Sequence, residues 1–194
     1  SCGAGTYISD TTTATKHDQQ DDCIDCSAGT YASDTGTSDC TICTAGKYST
    51  DNGRITDCDQ SCIAGTYISD TTTATEHDGQ NDCKVCSAGK YSTETGRASD
   101  CDKSCGAGTY ISDTTTATEH NQESDCIVCS AGTYSKSTGR STDCDKSCIA
   151  GKYISDINTP GKHDAEDDCE VCGNGHYSPP EAAGAYCIKC PKGK

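Results

Sequence analysis

The sequence predicts a fold of small disulfide-rich repeats: an elongated tandem array of short antiparallel β/turn modules, with little or no helix and no common hydrophobic core. Three observations point there. The chain has 19 cysteines in 194 residues. It contains no Leu, Phe, Trp or Met, and its large aliphatics are 12 Ile and 3 Val, an apolar content at which chains ordinarily stay disordered. One short motif recurs nine times: Cys, any residue, Ala or Asn, Gly, one of Thr, Lys or His, then Tyr.

The cysteines come first because they must replace the missing core. A disulfide restricts the unfolded chain where burial is too small to stabilise the folded one, and such bonds persist in oxidising compartments. The expected location is extracellular, secreted or attached to a cell surface. No apolar run approaches the roughly 20 residues of a membrane-spanning helix, and there is no signal-peptide core of about 7–15 apolar residues. The opening "SCGAGTY" therefore reads as a mature or trimmed chain, with no direct membrane insertion in this segment. A net charge of −15 and a pI near 4.5 disfavour nucleic acid and anionic lipid, which both call for clustered Lys or Arg.

The repeat sets the organisation. Motif copies start at Cys2, Cys26, Cys43, Cys62, Cys86, Cys105, Cys129, Cys148 and Cys172, and nine of the ten tyrosines sit in them: Tyr7, Tyr31, Tyr48, Tyr67, Tyr91, Tyr110, Tyr134, Tyr153 and Tyr177. Each copy runs to a second cysteine, in order Cys23, Cys40, Cys58, Cys83, Cys101, Cys126, Cys144, Cys169 and Cys187. Long modules span 2–25, 62–85, 105–128 and 148–171; short ones span 26–42, 43–61, 86–104, 129–147 and 172–189. Long and short alternate except where two short modules follow one another from Cys26 and Cys43. Residues 190–194, "CPKGK", spell the start of a tenth module and suggest a window on a longer array.

Within a module, Gly three residues after the cysteine supplies a positive φ or a close backbone approach. Tyr, the largest side chain available, is expected over a disulfide and a neighbouring module. The stretch after it, "YISD" or "YST", suits a short strand, and "DTGTSD", "DNGRITD" and "ETGRASD" read as turns. Spacing alone does not fix connectivity. The simplest scheme pairs each motif cysteine with the second cysteine of its own module and leaves Cys190 unpaired.

The C-x-x-G-x-Y openings joined by C-x-x-C doublets resemble the cysteine-rich repeats of ephrin-receptor-like and tumour-necrosis-factor-receptor-like modules. The likeness runs from Cys2 to the unit beginning at Cys190. It implies a non-globular stack of small disulfide-bonded units and, carried over as function, protein-ligand binding.

The doublets approach zinc-ribbon spacing, but the Thr- and Asp-rich loops and the Gly-x-Tyr element tied to every motif cysteine favour disulfides, and no cofactor is expected. His17, His77, His120 and His163 occupy one position in the four long modules and read as a surface or inter-module contact. A weak metal site is the alternative, from oxygen donors in "HDQQDDC" and "HDAEDDC". Catalysis is not expected, since no module has a nucleophile, base and orienting group that its siblings lack. The clusters Thr11, Thr12, Thr13 and Thr15; Thr71, Thr72, Thr73 and Thr75; and Thr114, Thr115, Thr116 and Thr118 read equally as O-glycosylation patches and as plain solvated loops. The fourth long module replaces them with "DINTPGKHD".

Near-copies stacked in one dimension are expected to contact mainly their neighbours and to advance at most roughly 15 Å each, for a rod on the order of 100 Å. The function expected is structural: a segment of a fibre, stalk or coat carrying covalent glycans, with copies of itself or other coat proteins as partners. A receptor or adhesion ectodomain is the alternative.

Overall fold

The computed structural model describes residues 1–10, 12, 20–180 and 184–191. Among these residues there is no α-helix; the chain forms nine separate two-stranded antiparallel pairs, each of two residues per strand. Small disulfide-rich repeats in tandem are therefore the fold.

One local rule builds every pair. The motif glycine takes a positive φ in all nine copies, from 73° at Gly175 to 84° at Gly5, which turns the chain sharply after the cysteine. The next two residues, ending on the motif tyrosine, form the first strand. Its partner is the two residues immediately before the next motif cysteine: Thr6–Tyr7 with Ile24–Asp25, Lys47–Tyr48 with Gln60–Ser61, Thr109–Tyr110 with Ile127–Val128. The C-x-x-C doublet is thus the return strand. The next cysteine then donates its N–H to the motif glycine carbonyl, as in Cys26 to Gly5 at 2.9 Å and Cys129 to Gly108 at 3.0 Å. The strand stops at tyrosine, so "YISD" and "YST" are not strands as expected. The residue after Tyr is turned toward the next module, where its N–H and carbonyl find partners.

Such strands are far too short to persist alone, and the disulfides close them. Nine bonds join Cys2–Cys23, Cys26–Cys40, Cys43–Cys58, Cys62–Cys83, Cys86–Cys101, Cys105–Cys126, Cys129–Cys144, Cys148–Cys169 and Cys172–Cys187. Each closes a loop of 14, 15 or 21 residues in sequence, worth about 3 kcal/mol by chain entropy. Cys190 is free and half-buried; its N–H donates to the Gly175 carbonyl at 2.7 Å, the same station the other motif cysteines hold.

The chain divides into two compact units. The first comprises Ser1–Cys86 and Thr93–Cys101, and its apolar cluster is Tyr48, Cys62 and Ile68 with Cys83 against it. The second comprises Ser87–Ser92 and Asp102–Lys194, with two clusters: Tyr91, Cys105 and Ile111, and Tyr134, Cys148, Ile154 and Cys169. In each, a short module's tyrosine covers the first cysteine and the post-tyrosine Ile of the following long module. The extra length of the long modules is spent on 3-10 turns, such as Ala74–Glu76 and Gln80–Asp82, or Ala117–Glu119 and Glu123–Asp125.

Candidate functional site

The recurring site of this protein is the joint between consecutive modules. Three backbone hydrogen bonds make it. The motif glycine N–H donates to the carbonyl just after the next module's tyrosine; the residue after tyrosine donates to a loop carbonyl of the next module; and in short modules a loop glycine N–H donates back to the preceding motif cysteine. In the first unit, Gly46 donates to Ile68 at 2.9 Å, Ile68 to Arg97 at 3.1 Å, and Gly96 to Cys62 at 2.7 Å. In the second, Gly108 donates to Ser135 at 3.0 Å, Ile111 to Arg140 at 3.1 Å, and Gly139 to Cys105 at 2.8 Å.

Contacts also reach the module after next, beyond the neighbour-only stacking expected. A Cβ built on Gly108 would meet the Pro160 carbonyl oxygen at 2.5 Å and the His163 carbonyl carbon at 2.9 Å. One built on Gly89 would overlap the Gly139 carbonyl. At Gly89 and Gly108 the motif glycine is therefore needed twice, for its φ and because another module's backbone lies against it, whereas at Gly151 and Gly175 only the φ calls for it.

The loop residue that offers its carbonyl alternates in kind. In long modules it is histidine: Ser49 donates to His77 at 3.0 Å, Ser92 to His120 at 2.9 Å, Ser135 to His163 at 2.9 Å. All three rings are fully buried, so the histidines are an inter-module contact but not a surface one. Each Nδ1 lies against a carbonyl of the preceding module, Lys47 at 2.7 Å, Lys90 at 2.6 Å and Thr133 at 2.7 Å. Each Nε2 lies against a carbonyl of its own loop, Asp70 at 3.1 Å, Asp113 at 3.0 Å and Asp156 at 2.8 Å.

In the short modules 43–61, 86–104 and 129–147 the residue is arginine, which the sequence did not single out, and in 172–189 it is Gly184, which accepts from Ile154 at 2.8 Å. Arg140 is almost buried and spends its guanidinium on the Asp143 carbonyl at 2.6 Å, the Ser135 hydroxyl at 3.3 Å and the Asp145 carboxylate at 3.1 Å. Arg54 and Arg97 repeat the bond to a carbonyl, on Asp57 at 2.9 Å and Asp100 at 3.0 Å. The signal was present in sequence: a Gly-Arg pair at 53–54, 96–97 and 139–140. In the short module 26–42, Thr37 stands in, accepting from Ile8 at 3.2 Å.

The threonine clusters are organised by the aspartate before them. Asp70 accepts from the Thr72 and Thr73 amides at 2.9 and 2.7 Å and from the Thr72 hydroxyl at 3.2 Å; Asp113 does the same for Thr115 and Thr116. These amides hold both carboxyls below the usual range, with a smaller contribution from the adjacent histidine. Thr71 to Thr73, Thr75, Thr114 to Thr116 and Thr118 are all exposed. In the fourth long module Asp156 accepts from Asn158 and Thr159 at 2.8 and 2.6 Å, so the turn outlasts the cluster. Asp10 accepts from Thr12; Thr11, Thr13, Thr15 and His17 lie outside the described residues.

Of the motif tyrosines, Tyr48, Tyr91 and Tyr134 are buried, Tyr7, Tyr31, Tyr67, Tyr110 and Tyr153 are half-buried, and Tyr177 is exposed. Groups with metal-ligand proximity exist at Cys86, Asp100 and Cys101 and at Cys129, Asp143 and Cys144. In both, the two sulfurs are bonded to each other. Asp143 accepts from the Ser130 and Cys144 amides at 3.0 and 2.7 Å, so a disulfide and a turn account for the proximity.

No protein-family model matches the chain, and no curated protein matches it in sequence. No helix among the described residues is long and apolar enough to cross a membrane. A chain held by nine disulfides and three small apolar clusters fits an extracellular segment of structural or receptor-like kind.

Proposed function

We propose that this protein is a structural, non-enzymatic segment of an extracellular rod, stalk or coat, assembled from interchangeable modules and carrying O-linked glycans on its exposed threonine loops. One observation carries the reading: the same joint recurs from module to module in each unit, using backbone groups, so that the side chain behind the accepting carbonyl is free to differ. A binding site for one partner requires a surface that differs from its repeats, whereas a spacer or lattice protein requires sameness. The threonines suit the modification because a turn presents them outward. The resemblance to ephrin-receptor-like and tumour-necrosis-factor-receptor-like repeats supports an extracellular array of this kind.

A receptor or adhesion role has one observation in its favour. The module 172–189 departs most from the others, and the apolar side chains around it are open: Val171 is 74% exposed and Tyr186 51%. Protein binding confined to that module would move the assignment.

The experiment is non-reducing intact mass of the secreted protein, with and without alkylation and deglycosylation. Eighteen protected thiols with excess mass in hexose-sized steps is the expected result. Free thiols that become protected on adding Zn²⁺, with no excess mass, overturn it.

A further inference from the structure

The three buried histidines carry an inference about how the joints respond to pH. A neutral imidazole has one N–H and one lone pair. Yet at His77, His120 and His163 both nitrogens lie 2.6–3.1 Å from carbonyl oxygens, and a carbonyl oxygen only accepts. A neutral ring would set a lone pair against an oxygen lone pair in a fully buried place, and leave a buried acceptor unmet. A ring with a proton on each nitrogen satisfies both contacts.

The charges around each ring agree. Nε2 of His77 lies 3.9 Å from the Asp70 carboxylate and that of His120 lies 3.7 Å from Asp113, while Asp156 flanks His163 through its own carbonyl. The cations on the neighbouring elements include Lys90 at His120 and Lys162 at His163, and three others are held elsewhere. Lys47, whose carbonyl receives His77, places its ammonium on Asp57 at 2.9 Å. Arg54, on Ser49 beside His77, is held by Asp59 at 3.1 Å and Asp51 at 3.6 Å, and Arg140, on Ser135 beside His163, by Asp145. Glu76, next to His77, faces Lys84 at 3.6 Å; Glu123 follows His120 on the turn Glu123–Asp125.

We propose that His77, His120 and His163 are imidazolium ions in the folded chain, and that rising pH loosens the long-module joints while the arginine joints hold. The direction follows from linkage. A proton held by the fold and shed by the unfolded chain, whose histidines lose it near about pH 6.5, stabilises fully below that pH. The contribution disappears as pH rises to where the folded ring loses its proton. Arginine stays charged throughout.

Two measurements on the intact oxidised chain test this. The first is long-range ¹H–¹⁵N correlation of the imidazoles at pH 7.5, assigned with His120→Gln and its equivalents and referenced to a histidine peptide. Both nitrogens of each buried ring should resonate as protonated; one protonated and one bare nitrogen in these rings overturns the proposal. The second needs no variant: amide exchange from pH 6 to 9, corrected for base catalysis. The Ser49, Ser92 and Ser135 amides, which bond to histidine carbonyls, should lose protection relative to Ile68 and Ile111, which bond to arginine carbonyls. Between about pH 6.5, where the opened ring loses its proton, and the pH at which the folded ring does so, the ratio should change by up to about tenfold per pH unit, and it should level off above that. A ratio flat across the range overturns the proposal.

Discussion

Alanine at three glycines of the second unit separates the two jobs assigned to the motif glycine. Gly161 has an ordinary φ and open space around it, Gly151 has a φ of +82° and open space, and Gly108 has a φ of +75° with the Pro160 carbonyl oxygen 2.5 Å from the new methyl carbon. Left-handed backbone costs a non-glycine residue about 1–2 kcal/mol, and forcing a methyl into occupied space adds about 1–3 kcal/mol. Gly161→Ala should be neutral or stabilising by about 0.4–1 kcal/mol through the unfolded chain. The reporter is the amide that donates to the substituted residue: Cys172 to Gly151 at 2.8 Å and Cys129 to Gly108 at 3.0 Å. Hydrogen exchange should show protection at Cys172 falling about tenfold in Gly151→Ala and protection at Cys129 falling about a hundredfold or more in Gly108→Ala, at about 1.4 kcal/mol per factor of ten. Equal losses in the two variants would refute the claim that the module after next bears on the motif glycine.

Two more outcomes follow from the joint chemistry. Burial works to raise the Asp57 carboxyl, but the Thr44 amide at 3.0 Å and the Lys47 ammonium at 2.9 Å, with the Cys58 amide at 2.8 Å, outweigh it and hold its pKa at about 2. A folded value below the roughly 3.9 of an unfolded Asp stabilises above about pH 4 and is lost as pH falls through 2. Asp57→Asn should remove that acid limb around Thr44, and a carboxyl NMR midpoint near 4 in the parent protein would contradict it. Arg140→Lys keeps the charge but cannot reach a carbonyl, a hydroxyl and a carboxylate at once. It should cost about 1–3 kcal/mol locally, read as faster exchange of the Ile111 amide, and unchanged exchange there would count against the arginine joint.

Much of this architecture was legible because it depends on few residue types. With no Leu, Phe, Trp or Met, the cysteines had to hold the chain, and a glycine fixed at one place in every motif had to serve the backbone. The location of the strands was not legible, because a two-residue strand has no periodicity to read; the doublet between Cys23 and Cys26 looked like a linker and is the return strand. The burial of His77, His120 and His163 was hidden for a related reason. A histidine flanked by Asp, Glu and Gln reads as solvated, and only the fold shows the preceding module's carbonyl closing over it. What sequence did contain was the constant seven-residue step from Asp70 to His77, Asp113 to His120 and Asp156 to His163, which is the Asx turn placing its carbonyl on Nε2.

The one irregularity in the array, two short modules in succession from Cys26 and Cys43, is consistent with how the joints are made. Ile8, Ala32, Ser49 and Ile68 donate in turn to the carbonyls of Thr37, Arg54, His77 and Arg97, so a short module can follow a long one, a short one or precede either with the same bond. What passes from module to module is a backbone carbonyl at a fixed place; the side chain behind it differs. Module order is therefore free to vary without breaking this bond, and under the imidazolium proposal the histidine joints alone answer to pH.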